Sequence, residues 1–429
     1  MLATLLIIFF AGLAIGIPVA LVMGMSTLSA FLFDSMIPLE IFPQRLFSGI
    51  DSFPMLTIPF FVLAADLMSG GRLTDMIIKF ANDLIGHIRG GLGHVNVLVS
   101  MMFAGISGSA LADAAGPGAV EMKMMHKAGY SPYYAGALSA ASSVIGNIIP
   151  PSIIMVIFAL ASGNTSVNGL FLAGVIPGIL IGLLLMVANH VISVRNNYQV
   201  KSKRTPLREV GKSFLQAFPS LLMPLIILGG ILTGIFTATE AGAVAVAYSI
   251  IVGVFITKAL KWKDIPKIII QSGIVTSSLL LLISMGSAFS WILTYAQIPQ
   301  QVAGWITGLT DSPLIALFLV ALISLLTGMF VDTIPAVIIL TPVLTPVAAQ
   351  FGAEPLQVGM IIIVTIAIGM LTPPVAPLLF VTSTVGKLKF EKLSKAVIPL
   401  LLVELGIVVL LILIPELSTW LPNLFGYKN

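Results

Sequence analysis

Two clusters of small polar residues interrupt apolar stretches of this 429-residue chain. One is Ser107-Gly108-Ser109, with Asp113 following; the other is Gly328 with Asp332-Thr333. Each cluster is followed by a double proline. The first reads Ile145-Gly146-Asn147-Ile148-Ile149-Pro150-Pro151-Ser152, and the second, 223 residues on, Ile368-Gly369-Met370-Leu371-Thr372-Pro373-Pro374-Val375. Consecutive prolines supply no backbone N–H and clash with the preceding turn, so a helix breaks there and frees carbonyl oxygens. Such carbonyls, with hydroxyl and amide oxygens, suit a hard monovalent cation, while half-helix N-termini favour an anion. The expectation is about two sodium (Na+) sites with an anion between them. Ser107, Gly108, Ser109, Gly146, Asn147 and Pro150 would hold the first ion. Gly328, Asp332, Thr333, Gly369, Met370 and Thr372 would hold the second. Ser107, Ser109, Ser152 and Asp332 are the candidates for the anion.

The elements that carry these residues must sit in a membrane. The chain is 58% hydrophobic and 9% charged, with a mean hydropathy of +1.10. Soluble domains carry about 25% charged residues. At about 20 residues per crossing the length allows roughly ten to twelve spans, surrounded by lipid. Without cysteine there is no disulfide or thiol chemistry. A net charge of +4, interspersed with acids, presents no nucleic-acid surface. Residues Met1 to Phe33 lack a basic start and a small-residue cleavage site, so they read as membrane helix and not as a signal peptide. Irregular backbone at membrane depth persists only where it lines a cavity or is buried in protein.

The pattern predicts an all-α polytopic membrane protein made of two repeats. Helices are expected at Leu2–Ile15 and Ile17–Phe33, then a polar loop Asp34–Asp51, a span Pro54–Met68 and an amphipathic segment Arg72–Arg89. A re-entrant helical hairpin follows at about 92–126 and a broken helix at about 134–161, completing a first repeat over 1–194. A basic linker occupies 195–213. The second repeat, 214–429, has its hairpin at about 313–349 and its broken helix at about 358–384. The breakers coincide at one offset: Gly105 with Gly328, Gly129 with Gly352, and Pro150-Pro151 with Pro373-Pro374. Basic residues concentrate in Arg195–Lys212 and Lys258–Lys267, which places both segments in the cytoplasm. Counting spans from there inverts the two repeats and puts the N-terminus outside. Matched broken helices, one per half, point to a transporter's binding site.

Among the acids, Asp332 is the strongest candidate, because an acid at membrane depth is costly and functional by default. Asp113 could cap a hairpin arm or bind an ion. Glu240 follows Thr237 in a helix-capping pattern, and Asp66 and Glu404 are expected near span ends, within reach of water. His87, His94, His126 and His190 have no metal-ligand spacing, and no nucleophile–base–orienter set appears, so an enzyme is not expected. An ion channel with re-entrant hairpins is the competing reading.

At these residues the chain resembles the large membrane subunit of tripartite ATP-independent periplasmic (TRAP) transporters, along essentially its whole length. The resemblance rests on Phe47-Ser48-Gly49-Ile50-Asp51-Ser52-Phe53-Pro54, Gly91-Leu92-Gly93-His94-Val95-Asn96, Ser107-Gly108-Ser109-Ala110-Leu111-Ala112-Asp113, Pro150-Pro151-Ser152, and Gly234-Ile235-Phe236-Thr237-Ala238-Thr239-Glu240-Ala241. The family often has proline where this chain has Ala238. The resemblance implies a sodium-driven importer of an organic acid anion in the bacterial inner membrane, working by an elevator-like shift. Sialic acid and C4-dicarboxylates are among the acids implied. It also implies two partners, a periplasmic substrate-binding protein and a small four-helix membrane subunit. A sodium/carboxylate symporter that needs no binding protein is the alternative within the same chemistry.

Overall fold

The computed structural model describes residues 1–33, 37–70, 73–198 and 204–427. Asp34, Arg72, Lys201 and Lys203, used above for loop polarity and charge, lie outside the described residues. The rest is all-α. The first half contains α1 (Leu2–Ala14), α2 (Val19–Phe33), α3 (Ile41–Ser48), α4 (Thr57–Gly70) and α5 (Leu73–Ile85). It continues with α6 (Gly91–Ser107), α7 (Ala110–Ala115), α8 (Pro117–Lys127), α9 (Pro132–Ser143), α10 (Ile153–Ser162) and α11 (Val167–Arg195). The second contains α12 (Leu207–Leu232), α13 (Ala238–Ile251), α14 (Ile265–Tyr295), α15 (Ile298–Leu309) and α16 (Pro313–Phe330). It ends with α17 (Thr333–Gln350), α18 (Pro355–Gly369), α19 (Pro377–Gly386), α20 (Phe390–Leu413) and α21 (Glu416–Leu424).

Local chemistry explains many of these boundaries. Proline occupies the first turn of α8, α9, α16, α18 and α19, where its fixed φ fits and its missing N–H has no partner to lose. Thr237 and Glu240 form a full capping box on α13, the role expected for Glu240. Among the described residues seven helices are long and apolar enough to cross a membrane, or eight if the bent pair α3–α4 counts as one span. The remaining apolar helices are short, among them α1, α2, α6, α10, α18 and α19. The lower number follows from α1, α2, the first hairpin and the broken helices, whose pieces are short, whereas both arms of the second hairpin, α16 and α17, are among the seven.

Helix boundaries repeat at the sequence offset. Shifted by 223, α6 falls on α16, α7–α8 on α17, α9 on α18, α10 on α19, and the start of α11 on that of α20. The segment read as a polar loop at Asp34–Asp51 is corrected: it contains α3, which meets the α4 arm at a bend of 56°. The counterpart of that pair is the single helix α14.

A candidate cation and anion site between two hairpin tips

The first tip is built by α6, which ends at Gly108 in the left-handed conformation (φ +60°). A Cβ there would lie 2.7 Å from the Pro151 carbonyl oxygen, so only glycine lets the tip rest on the proline break. Ser109 then caps α7, accepting from the Ala112 N–H at 3.4 Å. The facing break is a 3₁₀ turn, Val144–Asn147, after which the chain runs irregularly to α10. Asn147 ties these parts together. Its Oδ1 accepts from the Ala110 N–H at 2.9 Å, and its Nδ2 donates to Thr333 Oγ1 of the second half at 3.4 Å.

Asp113 lies behind the tip, buried and bonded to the Ser107 hydroxyl through Oδ1. Its Oδ2 has no hydrogen-bond partner among the described residues. A Cβ on Gly146 would come within 2.5 Å of that oxygen, so the unpartnered atom points at the break. An unsatisfied buried polar atom costs about 1–3 kcal/mol, and more when charged. A cation between Asp113 and the break removes that cost. The donors fit a sodium-sized ion, being a carboxylate, the neighbouring Ser107 hydroxyl and carbonyls such as that of Gly146, which Pro150 leaves without an i+4 donor.

The second tip differs. Asp332 itself caps α17, its Oδ1 accepting from the Thr333 N–H at 2.7 Å and from the Thr333 hydroxyl at 3.2 Å. Gly328 packs backbone to backbone on Gly369, where a Cβ would lie 2.8 Å from Gly328 carbons. The carbonyls of Gly369 and Met370 each accept one hydrogen bond, from Thr372 N–H (2.8 Å) and Leu378 N–H (3.1 Å), leaving a second lone pair on each. The Thr372 hydroxyl donates to the Ile368 carbonyl at 3.1 Å, and the Met370 sulfur lies 2.9 Å from the Thr333 hydroxyl oxygen.

The structure brings Ser107, Gly108, Ser109, Asn147, Asp332 and Thr333 onto one cavity of about 250 Å³. Gly146, Pro150, Gly328, Gly369, Met370 and Thr372 do not line it. Ser152 is not on the cavity; it is wholly buried and donates to the Asn147 carbonyl at 2.7 Å. Asp66 is on it, accepting from the Ser272 hydroxyl at 2.5 Å, and is not simply a span-end residue. Its signal was an acid in an apolar span. Glu404 does not reach water through the described chain: it is wholly buried in α20 and neither carboxyl oxygen has a partner among the described residues. It lies well inside α20 and not near a span end as the sequence suggested.

The family model for the tripartite ATP-independent periplasmic transporter, DctM component, matches residues 6–417. The chain belongs to this family. It is 39% identical over 421 residues to the sialic acid TRAP transporter large permease protein SiaM of Vibrio cholerae, covering 98% of this chain and 97% of that protein. Two further relatives are similar at this level. The 2,3-diketo-L-gulonate TRAP transporter large permease protein YiaN of Escherichia coli is 37% identical, covering 95% of each chain. The C4-dicarboxylate TRAP transporter large permease protein DctM of Pseudomonas aeruginosa is 38% identical, covering 94% of this chain and 93% of that one. The solved structure of the Alcanivorax borkumensis YdaH transporter matches with a TM-score of 0.66 at 15% identity, covering 91% of both chains, and so shares the fold. The chain is therefore a multi-pass membrane transport permease and not an enzyme.

Proposed function

We propose that this permease imports an organic acid anion across the bacterial inner membrane, driven by sodium, with one ion site in each half. The observation that carries the reading is the unpartnered Oδ2 of buried Asp113 facing Gly146. A carboxyl in that position, bonded only to a serine hydroxyl, wants a compact cation. The cavity between the tips adds Ser107, Ser109 and Asp332, and the anion would lie against the serine hydroxyls beside the bound ions. Relatives named for sialic acid, 2,3-diketo-L-gulonate and C4-dicarboxylates all handle oxygen-rich carboxylates. Sialic acid is the substrate proposed first.

The family description names a tripartite system. The proposed partners are accordingly a periplasmic binding protein that delivers the acid and a small four-helix membrane subunit. Exposed apolar side chains on α12 and α14, such as Leu215, Leu225, Ile270 and Ile274, offer a surface for that subunit or for lipid. The basic segments face the cytoplasm and the N-terminus faces the periplasm, with the hairpin-bearing half-helices shifting as a body against the α4–α14 scaffold.

The test is uptake into vesicles holding the permease and small subunit, with the binding protein and labelled acid outside. Sialic acid, succinate and 2,3-diketo-L-gulonate form the panel, each with its cognate binding protein. An inward sodium gradient is expected to drive accumulation, and choline replacing sodium to abolish it. Equal accumulation without sodium overturns the reading.

A further inference from the structure

A second cavity, of about 270 Å³, borders three of the helices that border the first. On each of them it is lined by residues later in the chain. On α14 the lining moves from Val275 and Leu279 to Gly286, Ser287 and Ser290; on α10 from Ile153 and Ile154 to Ile157 and Leu160; on α17 from Thr333 to Ile338. At a rise of 1.5 Å per residue the shift along α14 is about 17 Å, or roughly three turns. The two cavities are thus successive stations on one interface.

Their polarity is reversed. At the first station the hairpin side supplies the polar groups, while α4 and α14 contribute Val62, Ala65, Val275 and Leu279 besides Asp66. At the second station the α10 and α17 side is apolar, and the facing wall of α3, its following turn and α14 carries Ser48, Ser52, Ser287 and Ser290. Serines in apolar helices ordinarily bond back to their own carbonyls. On α14, Ser277 and Ser278 do so, to Gly273 and Ile274 at 2.7 and 3.0 Å. The hydroxyls of Ser52, Ser287 and Ser290 make no hydrogen bond to any described residue, which leaves them free for a ligand. Close by, the Arg45 guanidinium lies 5.3 Å from the Trp291 ring centre, and its Nε is buried without a partner among the described residues. Arg45 is one turn before Ser48, and Trp291 is next to Ser290.

We infer that this second cavity is the anion's station in the opposite transport state. When the hairpin tips travel along α14, the serine wall completes the site around the carboxylate and its hydroxyls, with Arg45 supplying positive charge nearby. This rests on the shifting-body reading above and assigns the scaffold residues that meet the substrate on the delivery side.

Two experiments test it, using the complete system and whichever panel acid the wild type accumulates. In the first, Ser287→Ala/Ser290→Ala is expected to raise the half-saturating concentration of acid-loaded binding protein about fivefold, with the sodium activation curve unchanged. An unchanged half-saturation overturns the assignment. In the second, Ser290→Cys places one thiol in a cysteine-free chain. A membrane-impermeant maleimide applied outside is expected to label it, and acid-loaded binding protein with sodium to slow labelling about threefold or more. Labelling that the acid does not slow, or that occurs only from the inner face, overturns the assignment. Failure of sodium dependence in the wild type is a separate result: it removes the driving ion and leaves the acid-dependent protection of this thiol standing.

Discussion

The two halves of the permease share helix boundaries but do not share chemistry. Ser109 and Asp332 are equivalent at the repeat offset, and both cap the returning hairpin arm. The residue one turn further is Asp113 in the first half and Ala336 in the second. The first hairpin carries two buried acids, Asp113 set in the packing against the break and Glu121 accepting from the Asn96 amide, whereas the second carries Asp332, which stands on the cavity. The scaffold shows the same divergence. Gly49 to Pro54, where α3 and α4 bend, correspond to Ser272 to Ser277 inside the unbroken α14. Pro54 cannot continue a helix and Ser277 can. The repeated frame thus carries unlike tips, and under the proposed reading one ion site is enclosed and the other open to the substrate.

The largest effect on that comparison comes from Asp113→Asn. It removes the carboxylate facing Gly146, and sodium-driven uptake is expected to fall about a hundredfold or more, with the protein still monodisperse in detergent. Near-normal uptake would break the claim that the enclosed site is occupied. Asp332→Asn alters the open site and is expected to raise the sodium concentration for half-maximal uptake about tenfold, a loss near 1.4 kcal/mol. A shift confined to the acid's own half-saturation would move Asp332 from ion to substrate. Asn147→Ala cuts the hydrogen bond that ties the first break to Thr333, so the sodium Hill coefficient is expected to drop toward 1 with about a threefold loss of rate. Thr237→Ala lies away from both sites. It removes one cap, worth about 1 kcal/mol, and should lower Tm by about 2–4 °C with uptake unchanged.

Much of this was legible before any coordinates. Paired prolines and glycines at one offset marked the hairpins and broken helices, because breakers act through the backbone and leave the same trace in either half. The tip residues were legible too, since polar side chains inside apolar runs are rare enough to read singly. Burial was not. Asp113, Glu404 and Asp66 each follow ordinary helical spacing, and only packing decides that the first two are dry and the third lines a cavity. Ser152 erred in the opposite sense, for a hydroxyl beside a break can face outward to a ligand or, as here, back to the Asn147 carbonyl. The helix α3 was hidden by its short, proline-containing sequence, which reads as loop until it docks against α14.

The most direct test of two unequal ion sites is equilibrium binding of radiolabelled sodium to the purified permease. At a sodium concentration just sufficient to saturate it, the wild type is expected to bind about two ions per chain, and Asp113→Asn and Asp332→Asn about one each. Adding the acid with its binding protein should tighten only the ion that Asp332→Asn removes. Equal stoichiometry in all three proteins, or no saturable sodium binding at all, contradicts the account.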